Sequence, residues 1–235
     1  MLVGMYRQAA FALDDRDTLG DLVDGVGAAH LVTSTADGLR SSLVPLLYDR
    51  GPGAAGLGTL RGHLARANDQ WRLSDGAEAL AIFTGPDGYV SPGWYPSKAA
   101  DPRVVPTWDY VVVHVTGRLT VHDDPDWVLA VVRALTERHE ASRPVPWSVD
   151  DAPADHLARL ARSIVGVEVE VAAISGSAKL SQNRPADIAG VAAGLAAAGD
   201  PRSVLLGEAV AAAGAAAARK VVDGAATNPN SRRRP

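Results

Sequence analysis

The stretch YVVVHVTGRLTVHD, residues 110–123, carries the clearest strand pattern in this sequence. Its apolar and polar side chains alternate, which is typical of a strand with one buried face. One face carries Val111, Val113, Val115, Leu119 and Val121, and the other carries His114, Thr116, Arg118, Thr120 and His122. Gly117 falls on the apolar face, where it indicates a bulge or a close approach of another backbone.

Strand-like alternation recurs on both sides of this stretch, at residues 28–49, 58–65, 78–86 and 165–174. The dipeptide Asp37-Gly38 predicts a tight hairpin turn in which both central residues take a positive φ. Helices are predicted at 123–142 and 151–164, since acidic residues and a proline stand near the start of each. A β-rich region with helical insertions predicts a mainly β, α+β fold: a barrel or a curled antiparallel sheet.

Composition excludes several classes of protein. The chain of 235 residues is 47% hydrophobic and 21% charged, which supports a sizeable core. A net charge of −4 gives no basic field for nucleic acid or an anionic membrane. The absence of cysteine excludes disulfides and a thiolate site, and it is typical of a cytoplasmic protein. The N-terminal residues do not resemble a signal peptide, and no apolar run is long enough for a membrane span.

The character of the chain changes near residue 185, where an alanine-rich segment begins. Alanine is the strongest helix former, so helices are predicted up to Gly199 and again after Pro201. We therefore expect a main domain over 5–185, a helical extension over 186–222 and a disordered tail over 223–235.

The segment RGHLARANDQW, residues 61–71, gathers cationic and amide groups where a strand becomes a helix. Arg66 is able to form a fork on phosphate oxygens, and Asn68 to cap the next helix or donate its amide. Free N–H groups at a helix start also favour an anion. The residues alone leave two interpretations open: a phosphate site, or a solvated turn with a capped helix.

Two further segments concentrate aromatic and hydrogen-bonding side chains. Residues 88–110 include the large rings of Trp94, Tyr95 and Trp108 and several hydroxyls. These groups either line the pocket of a flat heterocycle or cover the end of a barrel. Residues 179–185, KLSQNRP, hold five polar side chains directly after the last strand. These side chains either cap helix and sheet ends or reach a ligand, which a second subunit would help to bind.

Standard catalytic patterns are absent from the sequence. We find no G-x-S-x-G elbow, no phosphate-binding P-loop, no dinucleotide-binding G-x-G-x-x-G and no H-E-x-x-H. The six histidines show no metal-ligand spacing, and pairs such as Asp123-Asp124 are typical of helix starts. We therefore predict no catalytic residue and no metal ligand.

The order and spacing of many separate blocks resemble the PaiB family of FMN-binding negative transcriptional regulators. The blocks are MYRQAAFALDD, LVTSTADGL, GHLARANDQW, LAIFTGPDGYVSPGWYPSK, VVPTWDY, LTERHE, PWSVDDAP, IVGVEVEV and KLSQNRP. The resemblance covers about residues 5–190. It implies an FMN-binding split β-barrel that forms a homodimer with the cofactor near the subunit interface.

The resemblance also implies roles for the three segments. His63, Arg66 and Asn68 would hold the phosphate, and Ser91, Tyr95, Thr107 and Trp108 would line the flavin. Lys179, Ser181, Gln182, Asn183 and Arg184 would close the site. The chain departs from the family pattern at Leu43, Asp69, Asp87, Gly93 and Asp109, and it has Ala178 where the family has an aromatic residue directly before the lysine.

Three functional hypotheses follow. The first is a cytoplasmic flavoprotein that acts as a repressor or a flavin-based sensor, with regulation that need not involve direct DNA binding, because the chain has no basic face and no helix-turn-helix pattern. The second is a flavin-dependent oxidoreductase or a haem-degrading enzyme, by analogy with related split barrels. The third is a degenerate barrel without a cofactor.

Overall fold

The computed structural model describes residues 5–51, 53 and 55–226. The strands are β1 (Ala12–Leu13), β2 (Ala28–Thr35), β3 (Gly38–Asp49), β4 (Thr59–Ala65), β5 (Glu78–Val90), β6 (Thr107–His122) and β7 (Ile164–Lys179). The helices are α1 (Arg16–Val26), α2 (Gln70–Ser74), α3 (Pro125–Glu140), α4 (Ala154–Ala161), α5 (Ile188–Ala197) and α6 (Pro201–Ala226). All the strands and helices predicted from periodicity are present.

The chain divides into two compact units. The first contains Leu13–Thr84 and Val112–Gly176, and the second contains Tyr6–Ala12, Gly85–Val111 and the residues from Ser177 onward. The predicted boundaries at 185 and 222 stay predictions. Helix α6 runs to Ala226, past the start of the predicted tail, and residues 227–235 lie outside the described residues.

The strands form one seven-stranded sheet in the order β1-β7-β4-β3-β2-β5-β6. The pairings of β2 with β3 and β5, and of β4 with β3 and β7, are antiparallel. Because β6 also pairs with β7, the sheet closes on itself, and the predicted barrel is confirmed.

The hairpin between β2 and β3 differs from the prediction by one residue. Thr35 pairs with Gly38, so the two central residues are Ala36 and Asp37. Only Gly38 has a positive φ, of 102°. Glycine carries the left-handed conformation after the turn because it has no Cβ to clash, so the expected positive φ at Asp37 was wrong.

The apolar face predicted on β6 is buried in the core of the first unit. Val113, Val115 and Leu119 are at most 1% exposed, and they join a cluster with side chains from β2, β4 and β7. Gly117 lies on the same face, and a Cβ added there would stand 2.0 Å from the carbonyl oxygen of Glu170 on β7. The predicted close backbone approach at this glycine is therefore confirmed.

Helix α3 covers part of the outer surface of the barrel. Its Val131 and Leu135 pack with Leu47 of β3 in a small apolar cluster. Asp124 caps the helix by accepting a hydrogen bond from the N–H of Asp126, which agrees with the helix-start role predicted for this acidic pair. In the part of the chain that the structure describes, no helix is long and apolar enough to cross a membrane.

Candidate functional site

A cavity of about 460 Å³ in the second unit brings together four of the predicted cofactor residues. These four residues are Thr107, Trp108, Lys179 and Asn183. The lining also includes residues that the sequence analysis did not assign to a site, namely Tyr6, Gln8, Phe11 and Tyr110. The volume lies within the range of about 300–1,000 Å³ that is usual for cofactor sites. Aromatic rings and a cation at one cavity suit a flat heterocycle with polar edges.

Lys179 supplies the positive charge of this cavity. Its Nζ donates hydrogen bonds to Oγ1 of Thr107 and, at 2.8 Å, to the carbonyl oxygen of Trp108. The side chain is 21% exposed, and its Nζ lies 3.9 Å from Oδ1 of Asp109. The start of β6 and the end of β7 therefore hold the ammonium group at the cavity wall.

Asp109 lies fully buried behind Lys179, where the family pattern has an amide. Burial raises the pKa of its carboxyl group, while the hydrogen bond from Ser181 and the charge of Lys179 act in the opposite direction. Oγ of Ser181 donates to Oδ2 at 2.6 Å, and Ser181 has a left-handed backbone with φ of 57°. Lys179 and Ser181 thus partly compensate this buried carboxylate, and the predicted role of Ser181 takes the form of a support beneath the cavity wall.

Trp108 presents its ring at the cavity with about half of its surface exposed. Its indole N–H donates to Oδ2 of Asp87 at 2.9 Å. Asp87 also lies 3.4 Å from the guanidinium of Arg202 on α6. The carboxylate that replaces the family's usual histidine therefore fixes the orientation of the indole.

Five other predicted cofactor residues belong to this unit, but among the described residues they do not line the cavity. They are Ser91, Tyr95, Ser181, Gln182 and Arg184. Ser91 caps a short helical turn by accepting from the N–H of Gly93 at 3.1 Å. Tyr95 is 4% exposed, burial raises its pKa, and the guanidinium of Arg184 lies 5.1 Å from its ring centre. Gln182 donates to the carbonyl oxygen of Ala178 at 2.6 Å. In this structure all five side chains make local structural contacts, and their roles at a cofactor stay predictions.

In the first unit, Arg66 is fully engaged. Its guanidinium forms a two-pronged ion pair with Asp123, with Nη1 at 3.0 Å from Oδ2. Its Nε donates to the carbonyl oxygen of Arg162 at 2.7 Å, and Nη2 donates to that of Ile164 at 3.3 Å. A phosphate would have to compete with Asp123 for this arginine.

Asn68 and His63 lie in different surroundings from Arg66. The Asn68 amide donates to Oγ of Ser42 at 2.7 Å, and its oxygen accepts from the N–H of Gln70, the first residue of α2, at 3.0 Å. His63 projects from β4 and lines two apolar cavities beside α3. Burial lowers the pKa of its imidazole, so the ring is neutral at pH 7. No hydrogen bond among the described residues joins the three predicted phosphate ligands.

Sequence reasoning missed the tyrosines of the cavity, Tyr6 and Tyr110. Tyr110 begins the alternating stretch on the polar side, so its position outside the core was readable from the pattern. Tyr6 gave no periodic signal, because it precedes the first regular element.

The closed antiparallel barrel and the ring-lined cavity with a cation suit a protein that binds a flat heterocycle. The family model described as "Putative FMN-binding domain" matches residues 5–173, and the chain belongs to this family. The predicted relationship to PaiB and the predicted cofactor, FMN, are confirmed at the level of the family.

Three relatives illustrate the range of similarity. An uncharacterized protein of Aspergillus fumigatus is 33% identical over 53% of this chain and 60% of its own length. An uncharacterized protein of Emericella nidulans is 28% identical over 76% of this chain and 84% of its own. Protease synthase and sporulation protein PAI 2 of Bacillus subtilis is 33% identical over 53% of this chain and 58% of its own. The chain thus spans about 60% of two of these relatives.

Two solved structures show the same fold at low identity. The FAD and haem binding protein of Mycobacterium smegmatis superposes with a TM-score of 0.52 at 16% identity, over 72% of this chain and 73% of that one. The flavocytochrome Anf3 of Azotobacter vinelandii gives 0.52 at 14% identity, over 74% and 72%. At such identities the likeness concerns the fold alone.

Proposed function

We propose that this protein is a PaiB-type flavin sensor that holds the FMN ring in the cavity beside Trp108 and Lys179. Its output is negative regulation of transcription, exerted directly or through another protein. The observation that carries the proposal is the cavity itself, where aromatic rings and one ammonium group meet. Bound FMN would supply the redox chemistry of the isoalloxazine ring.

Each lining residue has a distinct role in this proposal. The indole of Trp108, fixed by Asp87, offers a flat surface for the ring. Lys179 directs a positive charge at the ring's polar edge, where the carbonyl oxygens accept hydrogen bonds. Asn183 adds an amide that both donates and accepts.

The experiment is an FMN titration followed by visible absorption. Lys179→Met removes the charge while keeping most of the length of the side chain, and we expect FMN affinity to fall about tenfold or more. Lys98→Met is the matched control, because Lys98 is exposed and is not among the cavity's described lining residues. Equal FMN affinity in the wild type and Lys179→Met would show that the ring binds elsewhere.

We propose Arg66, with Asn68, as the phosphate ligand that the family resemblance implies. His63 is not part of this proposal, because its neutral ring lies among apolar side chains beside α3. The ion pair with Asp123 gives this part of the proposal its own test. Asp123→Asn frees the guanidinium, so FMN affinity should rise, whereas Arg66→Ala should lower it. If Asp123→Asn leaves FMN affinity unchanged, Arg66 serves only to join the start of α3 to β7.

The regulatory part of the proposal rests on sequence similarity to the PaiB family. The Bacillus subtilis relative is named for protease synthesis and sporulation, and we extend a regulatory role to this chain from the PaiB resemblance. A net charge of −4 argues for indirect action instead of direct DNA binding. Expression profiling of a deletion strain, complemented by wild type or Lys179→Met, tests whether regulation requires the flavin site.

The second candidate function is a flavin-dependent oxidoreductase. It is favoured by the exposed position of Trp108, which leaves the cavity open to a second molecule. Steady-state oxidation of NADH or NADPH by the FMN-loaded protein separates the two functions. Sustained turnover indicates an enzyme, and flavin binding with negligible turnover indicates a sensor.

A further inference from the structure

A second cavity lies in the first unit, between β4 and the helices α3 and α4. It measures about 240 Å³. Its walls are mainly the apolar side chains of Val128, Leu129, Leu157, Ala161 and Ile164, and His63 stands among them. None of these residues belongs to the cavity beside Trp108.

His63 is a polar residue among these apolar walls. Its Nδ1 is buried and has no hydrogen-bond partner among the described residues. A buried polar atom without a partner is destabilising, so a ligand that forms a hydrogen bond with it binds more tightly than one that does not. The other polar group in the lining, the Ser163 hydroxyl, already donates to the carbonyl oxygen of Leu160 at 2.6 Å.

The size and charge of the cavity restrict what can bind there. An apolar protein cavity of about 150 Å³ is known to accept benzene, so one of 240 Å³ has room for a single ring with a substituent. Burial keeps the imidazole neutral, and apolar walls penalise an ion. The walls therefore favour an uncharged ligand with one hydrogen-bonding group.

We propose that this cavity binds a small uncharged aromatic alcohol whose hydroxyl group hydrogen-bonds to Nδ1 of His63. An adjoining cavity of about 370 Å³, which shares His63 and Val132, gives room for a longer substituent. The site shares no lining residue with the cavity proposed for the flavin ring. It gives the proposed sensor a place for a second small molecule.

The test compares phenol with toluene, two probes of similar shape that differ in the hydroxyl group. Binding is measured by NMR titration of the full chain in the presence of FMN, following the ring nitrogens of His63. We expect phenol to bind about tenfold more tightly than toluene and to shift the Nδ1 resonance. Equal affinities, or no binding of either probe, would overturn the proposal.

Two variants locate the binding. His63→Leu should abolish the preference for phenol while toluene still binds, and Ala161→Leu should weaken both probes by filling the cavity. Phenol binding that is unchanged in Ala161→Leu would place the probe elsewhere and overturn the proposal. FMN affinity, read from flavin absorption in the same samples, reports separately on the flavin site.

Discussion

Asp109 shows how one buried side chain links this protein's stability to pH. Burial raises its pKa above the ordinary value of 3.8, so the folded chain holds this proton to a higher pH than the unfolded chain does. Stability from this group is therefore lost as pH rises from about 3.8 through the raised native pKa. We predict that Asp109→Asn gains stability relative to the wild type over this interval, and that the gain is constant at higher pH.

Denaturant unfolding of the two proteins between pH 3.5 and 8 measures this difference. Asp37→Asn, in the exposed hairpin turn, is the matched control and should show no such gain. The prediction fails if Asp109→Asn is the less stable protein at pH 7, since Lys179 and Ser181 would then fully compensate the buried carboxylate.

At the scale of elements, the pairing of β6 with β7 closes the barrel, and Gly117 of β6 lies against the backbone of β7. A Cβ at this position would collide with the backbone of Glu170, which cannot move without opening the pairing of the two strands. We predict that Gly117→Ala destabilises the fold by about 1–3 kcal/mol or more. The measurement is the free energy of unfolding in urea.

Gly25 provides the opposite case on α1. It is exposed, and a Cβ there meets nothing within 4 Å. Gly25→Ala should therefore stabilise the protein by about 0.5–1 kcal/mol, because alanine loses less backbone entropy in a helix. If Gly117→Ala and Gly25→Ala change the free energy of unfolding by similar amounts, the β7 backbone at Glu170 moves away from the added Cβ without a loss of stability.

The strands were predictable because alternation is a local property of the sequence. The face that β6 buries follows from positions 111 to 119 alone. The ion pair of Arg66 with Asp123 was not predictable, since 57 residues separate the two and only the closed barrel joins them. Lys179 and Thr107, which the family resemblance assigns to one site, meet where the end of β7 lies beside the start of β6. Local chemistry identified candidate residues, and tertiary contacts decided which of them share a cavity.

At the scale of the whole molecule, one outer face of the first unit carries exposed leucines. Leu43 and Leu39 of β3 are 65% and 73% exposed. In the strand register, His30 of β2 pairs with Leu43 of β3 on one side and with Ile82 of β5 on the other. Two residues further along β2, Val32 pairs with Leu80 of β5. In contrast, Leu47 on the same side of β3 is buried against α3. An exposed apolar sheet face of this kind favours association with another protein surface.

We predict that this face forms the homodimer interface implied by the PaiB resemblance. Leu43→Lys places a charge at its centre, so a dimer should dissociate to monomers because two buried, unpaired ammonium groups would face each other across a twofold axis. Sedimentation equilibrium measures the shift. Val145→Lys is the control, since Val145 is 86% exposed in the loop after α3. A Leu43→Lys protein that remains dimeric at the wild-type dissociation constant would place the interface on another surface. If the cofactor lies near the interface, FMN affinity should fall together with dimerisation.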